Sequence, residues 1–142
     1  MACKLSKVSG ANSIMYLLTA EEALPGQSVN VYVAIFSKQD YNFYGLPIVT
    51  VDGLYFEGQY KSFSLEEYYS LYMTECGLVY EGSWKFTFTM PSKPVTVKSE
   101  AWVEQEYLGI PWHRDCSTQI AVALTPIPAE FANFAIEAYS IY

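Results

Sequence analysis

Apolar and polar residues alternate along several short segments of this chain, with a period of two residues that is typical of β-strands with one buried face. The segment SVNVYVAIF, residues 28–36, places Val or Ile at every second position. The same alternation occurs in residues 13–20, 84–90 and 95–103. Most of the chain lacks the 3.6-residue period of an amphipathic helix. The pattern therefore predicts an all-β protein.

Turn residues separate the alternating segments. Pro25 and Gly26 occupy the central positions of an expected type II turn, because proline presets φ and glycine tolerates the positive φ that follows. Asp52 and Gly53 separate two apolar runs and predict a tight hairpin. The corner MPSKP, residues 90–94, carries two prolines that cannot donate hydrogen bonds to a sheet. We expect the chain to leave one sheet there and to enter another.

Three segments have weaker patterns. Residues 109–117, GIPWHRDCS, are expected to form a loop before a strand in residues 118–126. The tyrosine-rich residues 57–82 form either a short helical turn or an irregular edge strand. Residues 127–142 form an added strand or arm, with a helix as the alternative because Ala and Glu favour helices. The residues assigned to this terminal strand, which could pair with the sheet edge of a neighbouring subunit, are Phe131, Phe134, Ile136, Tyr139 and Tyr142.

About seven to nine short strands with regular turn signals fit a two-sheet antiparallel sandwich better than a barrel or an α/β fold. The length of 142 residues is that of one domain. We therefore predict a single β-sandwich domain over residues 1–142, with its core in residues 13–126 and an extra C-terminal strand.

Four stretches follow one another in a familiar order: PGQSVNVYVAIFSK, PIVTVDG, EGSWKFTFTMPSKPVTVKSEAWVE and STQIAVAL. Together they resemble the immunoglobulin-like modules of prokaryotic surface proteins, including the cell-adhesion-related type, over about residues 24–124. The resemblance implies an immunoglobulin-like β-sandwich and no particular activity. The tyrosine-rich middle segment and the extra C-terminal strand depart from the pattern of these modules.

Charge narrows the range of partners. Eight Lys and Arg against 15 Asp and Glu give a formal net charge of −7, which disfavours binding to the phosphates of nucleic acids.

No run of apolar residues reaches the roughly 18 that a membrane span needs, so we expect no membrane insertion. The start of the chain runs into Glu21 and Glu22 and does not resemble a secretion signal. A cytoplasmic location therefore stays open beside an extracellular surface or a virus particle.

Candidate chemistry is sparse. The only histidine, His113, lies in PWHRDC beside an arginine, an aspartate and a cysteine, but neither a second histidine nor a CxxC motif accompanies it. The carboxylate pairs Glu66 with Glu67 and Glu104 with Glu106 would serve hydrolysis only if they faced each other across a cleft. Instead, Glu104 and Glu106 are expected to share one solvated strand face. The stretch TVDG offers a single aspartate for calcium. We expect no enzyme, no metal and no cofactor.

Aromatic residues make up 17% of the chain and provide the main candidate for binding. Trp102 alternates with the inward-facing valines and should point outward, close to Tyr107 and Trp112. These three rings could stack on a sugar or anchor a protein partner. The alternative is that the C-terminal segment or the tyrosine-rich segment covers this face.

Three cysteines leave at least one thiol unpaired within the chain. A bridge between Cys76 and Cys116 would form if both residues met at one pole of the fold, with Cys3 as the odd thiol. The alternative is that all three are idle or buried thiols.

The absence of a catalytic signature, the low charge and the abundant aromatic residues together favour a non-catalytic module. The predicted role is that of a structural or adhesive unit in an extracellular or virion assembly, acting through contacts with a protein partner or with copies of itself. The alternative is a carbohydrate-binding module that uses Trp102, Tyr107 and Trp112.

Overall fold

The computed structural model describes residues 2–127, which form twelve β-strands and one short 3-10 turn. In chain order the strands are β1 (Cys3–Ser9), β2 (Ser13–Ala20), β3 (Glu22–Ala23), β4 (Ser28–Ser37), β5 (Phe43–Val51), β6 (Leu54–Glu57), β7 (Lys61–Phe63), β8 (Leu71–Thr74), β9 (Gly77–Tyr80), β10 (Trp84–Thr89), β11 (Val95–Gln105) and β12 (Ile110–Leu124). The predicted all-β class is confirmed.

Two larger sheets pack face to face as a sandwich. The first sheet has the order β1-β2-β4-β10, and the second has the order β3-β12-β11-β5-β6, with β7 paired to the other end of β5. Neighbouring strands run antiparallel, except that the short β3 pairs in parallel with β12. The strands β8 and β9 form a separate hairpin.

The inner faces of the two sheets supply one core, as the alternation predicted. The valines of β4 that share a face are buried, and so are Val97 and Val103 on β11. The residues of this core that are shielded most completely are Met15, Leu17, Val31, Val33, Phe43, Val49, Val97, Ala101, Val103 and Val122. Burial of this apolar surface is the main force that holds the sheets together.

The predicted turns are confirmed. In the turn at Pro25 and Gly26, the amide of Gln27 donates to the carbonyl of Leu24 at 3.1 Å, and Gly26 has a φ of 82°. Asp52 and Gly53 both have positive φ and join β5 to β6, as expected of a two-residue hairpin.

The proline corner also behaves as predicted, because β10 belongs to the first sheet and β11 to the second. Met90 stands at this corner with its side chain buried. Its amide donates to the carbonyl of Gln27, and its own carbonyl accepts from the amide of Gly26, each at 2.8 Å. The corner is thus fastened to the first turn of the chain.

The tyrosine-rich segment contains both a helical turn and strands. Residues Glu66–Tyr68 form the 3-10 turn, and β8 with β9 lies against the outer face of the first sheet. Phe36 on that outer face packs against Tyr69 and Tyr80, with ring centroids 5.0 and 4.7 Å apart. This cover explains why β4 is buried on both faces.

The predicted Cys76–Cys116 bridge is wrong. Cys76, at the turn of the β8–β9 hairpin, is bonded to Cys3 at the start of β1, and the two Cα atoms are 5.5 Å apart. Cys116 is a free thiol on β12, where its sulfur lies 3.7 Å from the hydroxyl of Ser13. The hairpin folds back over β1, which brings the first cysteine of the chain to its turn.

Two further differences concern secondary structure. Residues 110–117, predicted as a loop, belong to β12, and only residues 106–109 form a turn. Residues 3–9 form β1, for which the sequence offered no clear alternation. The predicted terminal strand, with Phe131, Phe134, Ile136, Tyr139 and Tyr142, lies outside the described residues 2–127.

Candidate functional site: an aromatic strip and its groove

Four aromatic rings lie side by side on the outer face of the second sheet, and we call them the aromatic strip. In order they are Trp102, Trp112, Tyr60 and Tyr44. Successive ring centroids are 5.9, 6.0 and 5.8 Å apart. Tyr44 and Tyr60 are nearly parallel, and the other two pairs are tilted. Such spacings are those of interacting rings.

Alternation along β11 places Trp102 in the strip. Its neighbours Ala101 and Val103 are fully buried in the core, so the indole between them faces outward, as predicted. Gly45, on the adjacent β5, lets the two strands approach closely, because a Cβ atom there would overlap the carbonyl oxygen of Trp102. The backbone beneath the strip therefore depends on a glycine.

A β-bulge brings Trp112 into the strip. Ala101 pairs with Cys116 but Trp102 pairs with Arg114, so that Asp115 is an extra residue in β12. The insertion reverses the faces of the residues that precede it, because side chains alternate with a period of two. Arg114 consequently lies beside Trp102, and its guanidinium pairs with Glu100 on the outer face at 3.2 Å.

The extra residue, Asp115, turns its carboxylate toward the first sheet. Oδ2 accepts from the amide of Ser13 at 2.8 Å and from its hydroxyl at 2.7 Å, and Oδ1 accepts from the side-chain amide of Asn12 at 3.0 Å. The side chain of Asp115 is only 1% exposed. These bonds hold the bulge, and with it the orientation of Trp112.

A groove of about 360 Å³ adjoins the strip at the end of β11. Tyr107 stands at its edge, 90% exposed, in the turn that connects β11 to β12. The residues that line the groove are Tyr44, Tyr60, Glu104, Gln105, Glu106 and Tyr107. The predicted residues Trp102, Tyr107 and Trp112 thus share one region, although Tyr107 is joined to the two tryptophans only through Tyr60 and the groove.

Hydrogen bonds order the polar groups of the groove. The hydroxyl of Tyr60 donates to Glu104, and this bond, with partial burial and the negative charge of Glu104, raises the pKa of Tyr60 to about 12. Gln105 donates to the carbonyl of Asn42 and accepts from the amide of Tyr107 at 3.1 Å. The groove therefore presents phenol rings beside oriented carboxylate oxygens.

Trp102 carries an unsatisfied donor. Its indole nitrogen Nε1 is buried and is the one buried side-chain nitrogen or oxygen in residues 2–127 that has no hydrogen-bond partner. Leaving such a donor unpaired costs about 1–3 kcal/mol.

The sequence pointed to Trp102, Tyr107 and Trp112 but missed Tyr44 and Tyr60. Tyr60 lies in the tyrosine-rich segment, which does cover part of this face as one alternative predicted. Only strand pairing could have identified them, because β7 follows Tyr60 and pairs with β5 at Tyr44 and its two neighbours.

The His113 cluster does not form a nucleophilic site in the described residues. The imidazole Nδ1 contacts the carbonyl of Pro111 at 2.7 Å, and Nε2 lies 3.5 Å from Asp115. No hydrogen bond joins the imidazole to Cys116, whose pKa is raised by burial, so this thiol is not activated.

The pairs Glu66 with Glu67 and Glu104 with Glu106 have different surroundings. Glu66 accepts hydrogen bonds from Tyr16, at 2.8 Å, and from Tyr80 on the far side of the sandwich. Glu104 lies on β11, whereas Glu106 lies in the following turn and not on the same strand face. Both line the groove.

Within residues 2–127, no group of three or more His, Cys, Asp or Glu side chains could hold a metal ion. No helix in that part of the chain is long and apolar enough to cross a membrane. In comparisons with known proteins, no family model, no curated protein and no solved structure matches the chain.

Proposed function

We propose that this protein is a non-catalytic binding module that recognises a glycan through the aromatic strip and its groove. The observation that carries the proposal is the groove itself, where three tyrosine rings stand beside two glutamates and a glutamine. Sugars offer both an apolar ring face and a rim of hydroxyl groups. The first suits the negative face of an aromatic ring, and the second suits carboxylate oxygens.

The concave shape favours a glycan over a flat protein partner. A groove of about 360 Å³ lies within the range of small-molecule sites, roughly 300–1,000 Å³. The strip then extends the contact surface beyond the groove, which would accommodate further sugar units along a chain. The carboxylates also disfavour an anionic ligand, so a neutral glycan is the expected class.

Glycan-array binding with matched variants tests the proposal. Trp112 is 41% exposed, so Trp112→Ala should leave the fold intact and weaken binding about tenfold or more, as truncation of an aromatic anchor does. Tyr107→Ala should also weaken binding. Tyr55→Ala, which removes an exposed tyrosine on β6 outside the strip, is the control and should bind as the wild type does.

Two outcomes would contradict the proposal. One is that the wild-type protein binds nothing across a broad panel of neutral glycans. The other is that Trp112→Ala and Tyr107→Ala both bind as Tyr55→Ala does, which would place the ligand outside the strip and its groove.

A second candidate function, structural or adhesive assembly, is favoured by the free edge of β10. Among residues 2–127, this strand pairs only with β4 and ends the first sheet. An open edge offers unpaired backbone groups to a strand from another chain. The terminal segment with Phe131, Phe134 and Ile136 is the strand we propose for this role, in a neighbouring copy.

The mass of the protein in solution tests this second candidate. The full chain should associate at high concentration, and a variant that lacks residues 129–142 should stay monomeric. A monomer in both cases leaves strand exchange without support.

We also propose an extracellular or virion location. The Cys3–Cys76 disulfide supports it, since such bonds persist in oxidising compartments. Recovery of the protein from its native source with both cysteines reduced would argue for the cytoplasm.

A further inference from the structure

The β8–β9 hairpin and the outer face of the first sheet enclose a second cavity, far from the aromatic strip in the fold, which we call the hairpin pocket. Its volume is about 240 Å³. Tyr16, Leu18, Tyr32 and Ala34 on β2 and β4 contribute the sheet side. The edge strand β1, the hairpin and the turn after it contribute the other lining residues, Leu5, Leu71, Leu78, Val79, Tyr80 and Ser83.

The hairpin is fastened on both sides of this pocket. At its turn, Cys76 is bonded to Cys3, and Glu75 accepts from Tyr32 at 2.7 Å and from Asn30 at 2.8 Å. At its base, Tyr80 donates to Glu66. Because both ends of the hairpin are anchored, the hairpin stays above the sheet. A space therefore remains open between the hairpin and the sheet.

The walls define the chemistry of an occupant. All ten lining residues are uncharged, and the hydroxyls of Tyr16, Tyr32 and Tyr80 already donate to Glu66 or Glu75. In the described part of the chain, residues 2–127, no cation lines the pocket to neutralise an anionic group, and no carboxylate lines it to pair with a cation. A charged ligand would lose its hydration without compensation, whereas an apolar ligand would gain from burial.

The size sets an upper limit on the occupant. An apolar cavity of about 150 Å³ holds a benzene molecule, and sites for drug-sized ligands begin near 300 Å³. The hairpin pocket lies between these limits. We infer that it binds a neutral, apolar small molecule of one or two rings, or a short hydrocarbon chain, at a site independent of the aromatic strip.

Access is provided by the exposed side of the pocket. Leu5, Leu71 and Leu78 line the pocket yet are exposed to solvent, with Leu78 at 59%. Ala34 on β4 is buried. The exposed leucines form the entrance, and the alanine lies where a larger side chain would take the place of the ligand.

Titration with the neutral two-ring dye 6-propionyl-2-(dimethylamino)naphthalene, whose fluorescence shifts and rises in apolar surroundings, tests the inference. The wild-type protein should bind it saturably with one dye per chain. Leu78→Trp and Ala34→Met should each weaken binding about tenfold, the equivalent of losing contact with roughly two methylene groups. Leu54→Trp, at a similarly exposed leucine (53%) on the opposite sheet, is the matched control and should change nothing.

An NMR measurement locates the dye without relying on any variant. Nuclear Overhauser contacts should join the dye to the methyl groups of Ala34 and Leu18. The inference is overturned if the wild type shows no saturable binding, if Leu78→Trp and Leu54→Trp bind equally, or if the contacts involve Trp102 and Trp112 instead. Circular dichroism of each variant confirms that the fold is retained.

Discussion

Asp115 on β12 accepts two hydrogen bonds from Ser13 on β2, one from the backbone amide at 2.8 Å and one from the hydroxyl at 2.7 Å. The carboxylate is almost fully buried and joins the two sheets of the sandwich. It is also the extra residue of the bulge that places Trp112 and Arg114 on the outer face. One side chain therefore connects the stability of the fold to the geometry of the aromatic strip.

Replacing this carboxylate should destabilise the protein strongly. Asp115→Ala leaves the amide and hydroxyl of Ser13 without acceptors, at a cost of about 2–4 kcal/mol in the free energy of unfolding. Arg114→Ala removes an exposed ion pair and should cost less than about 1 kcal/mol. Denaturant unfolding measures both values, and equal losses would contradict the role given to Asp115.

The disulfide should stabilise the protein because it closes a long loop in the unfolded chain. Cys3 and Cys76 are 73 residues apart, for which chain entropy gives about 4 kcal/mol. The double variant Cys3→Ser, Cys76→Ser should lose roughly this much, whereas Cys116→Ser should stay near the wild type. Denatured, unreduced protein should show one free thiol per chain, and peptide mapping that linked Cys76 to Cys116 would refute the pairing.

Acid should loosen the attachment of the hairpin. Burial opposes ionisation of Glu75, but hydrogen bonds from Tyr32, Asn30 and its own backbone, with the charge of Lys85, outweigh it and hold its pKa below the ordinary 4.5. The stability that this carboxylate contributes is therefore present above pH 4.5 and is lost as the pH falls through the folded-state pKa.

Unfolding midpoints measured from neutral pH to about pH 3 test this dependence. Glu75→Gln should be less stable at neutral pH and should show a smaller loss on acidification than the wild type. Glu22→Gln, at an exposed position on β3, serves as the control. Parallel curves for the wild type and Glu75→Gln would disprove the assignment.

Tyr60 should ionise at a higher pH than an ordinary tyrosine. Its hydrogen bond to Glu104 raises its pKa from 10.0 to about 12, so the stabilisation from this bond is complete below pH 10 and is lost as the pH rises through about 12. The difference in tyrosinate absorbance between the wild type and Tyr60→Phe should appear near pH 12.

Glu104, which accepts the hydrogen bond from Tyr60, provides the matched comparison with Tyr60→Phe. In Glu104→Gln the same ionisation should return toward 10, because the carboxylate charge that opposes the phenolate is gone. An unchanged titration in this variant would show that Glu104 does not hold the Tyr60 hydroxyl.

Features of the fold that depend on neighbouring residues could be predicted from the sequence. The alternation in residues 28–36 and 95–103, the turn at Gly26 and the proline corner after Met90 each express a preference that a few consecutive residues determine. The outward position of Trp102 followed from the same alternation. These preferences act between residues that are close together in the chain, so they can be recognised from the sequence alone.

Features that depend on strand pairing could not be predicted in this way. The alternation of Tyr32, Ala34 and Phe36 with the core valines did not reveal that a hairpin from residues 71–80 would cover them. The disulfide partner of Cys76 could not be predicted either, because Cys3 lies in a strand with weak alternation. Tyr44 and Tyr60 join the candidate site only because β7 pairs with β5.

By itself, the sequence determined the class of the fold, the positions of its turns and which face of each clear strand is buried. The tertiary structure decided which rings meet on the outer face and which thiols meet at the hairpin. The bulge at Asp115 shows the reason: a single extra residue reverses the orientation of Trp112, and only the pairing of β11 with β12 reveals that it is extra.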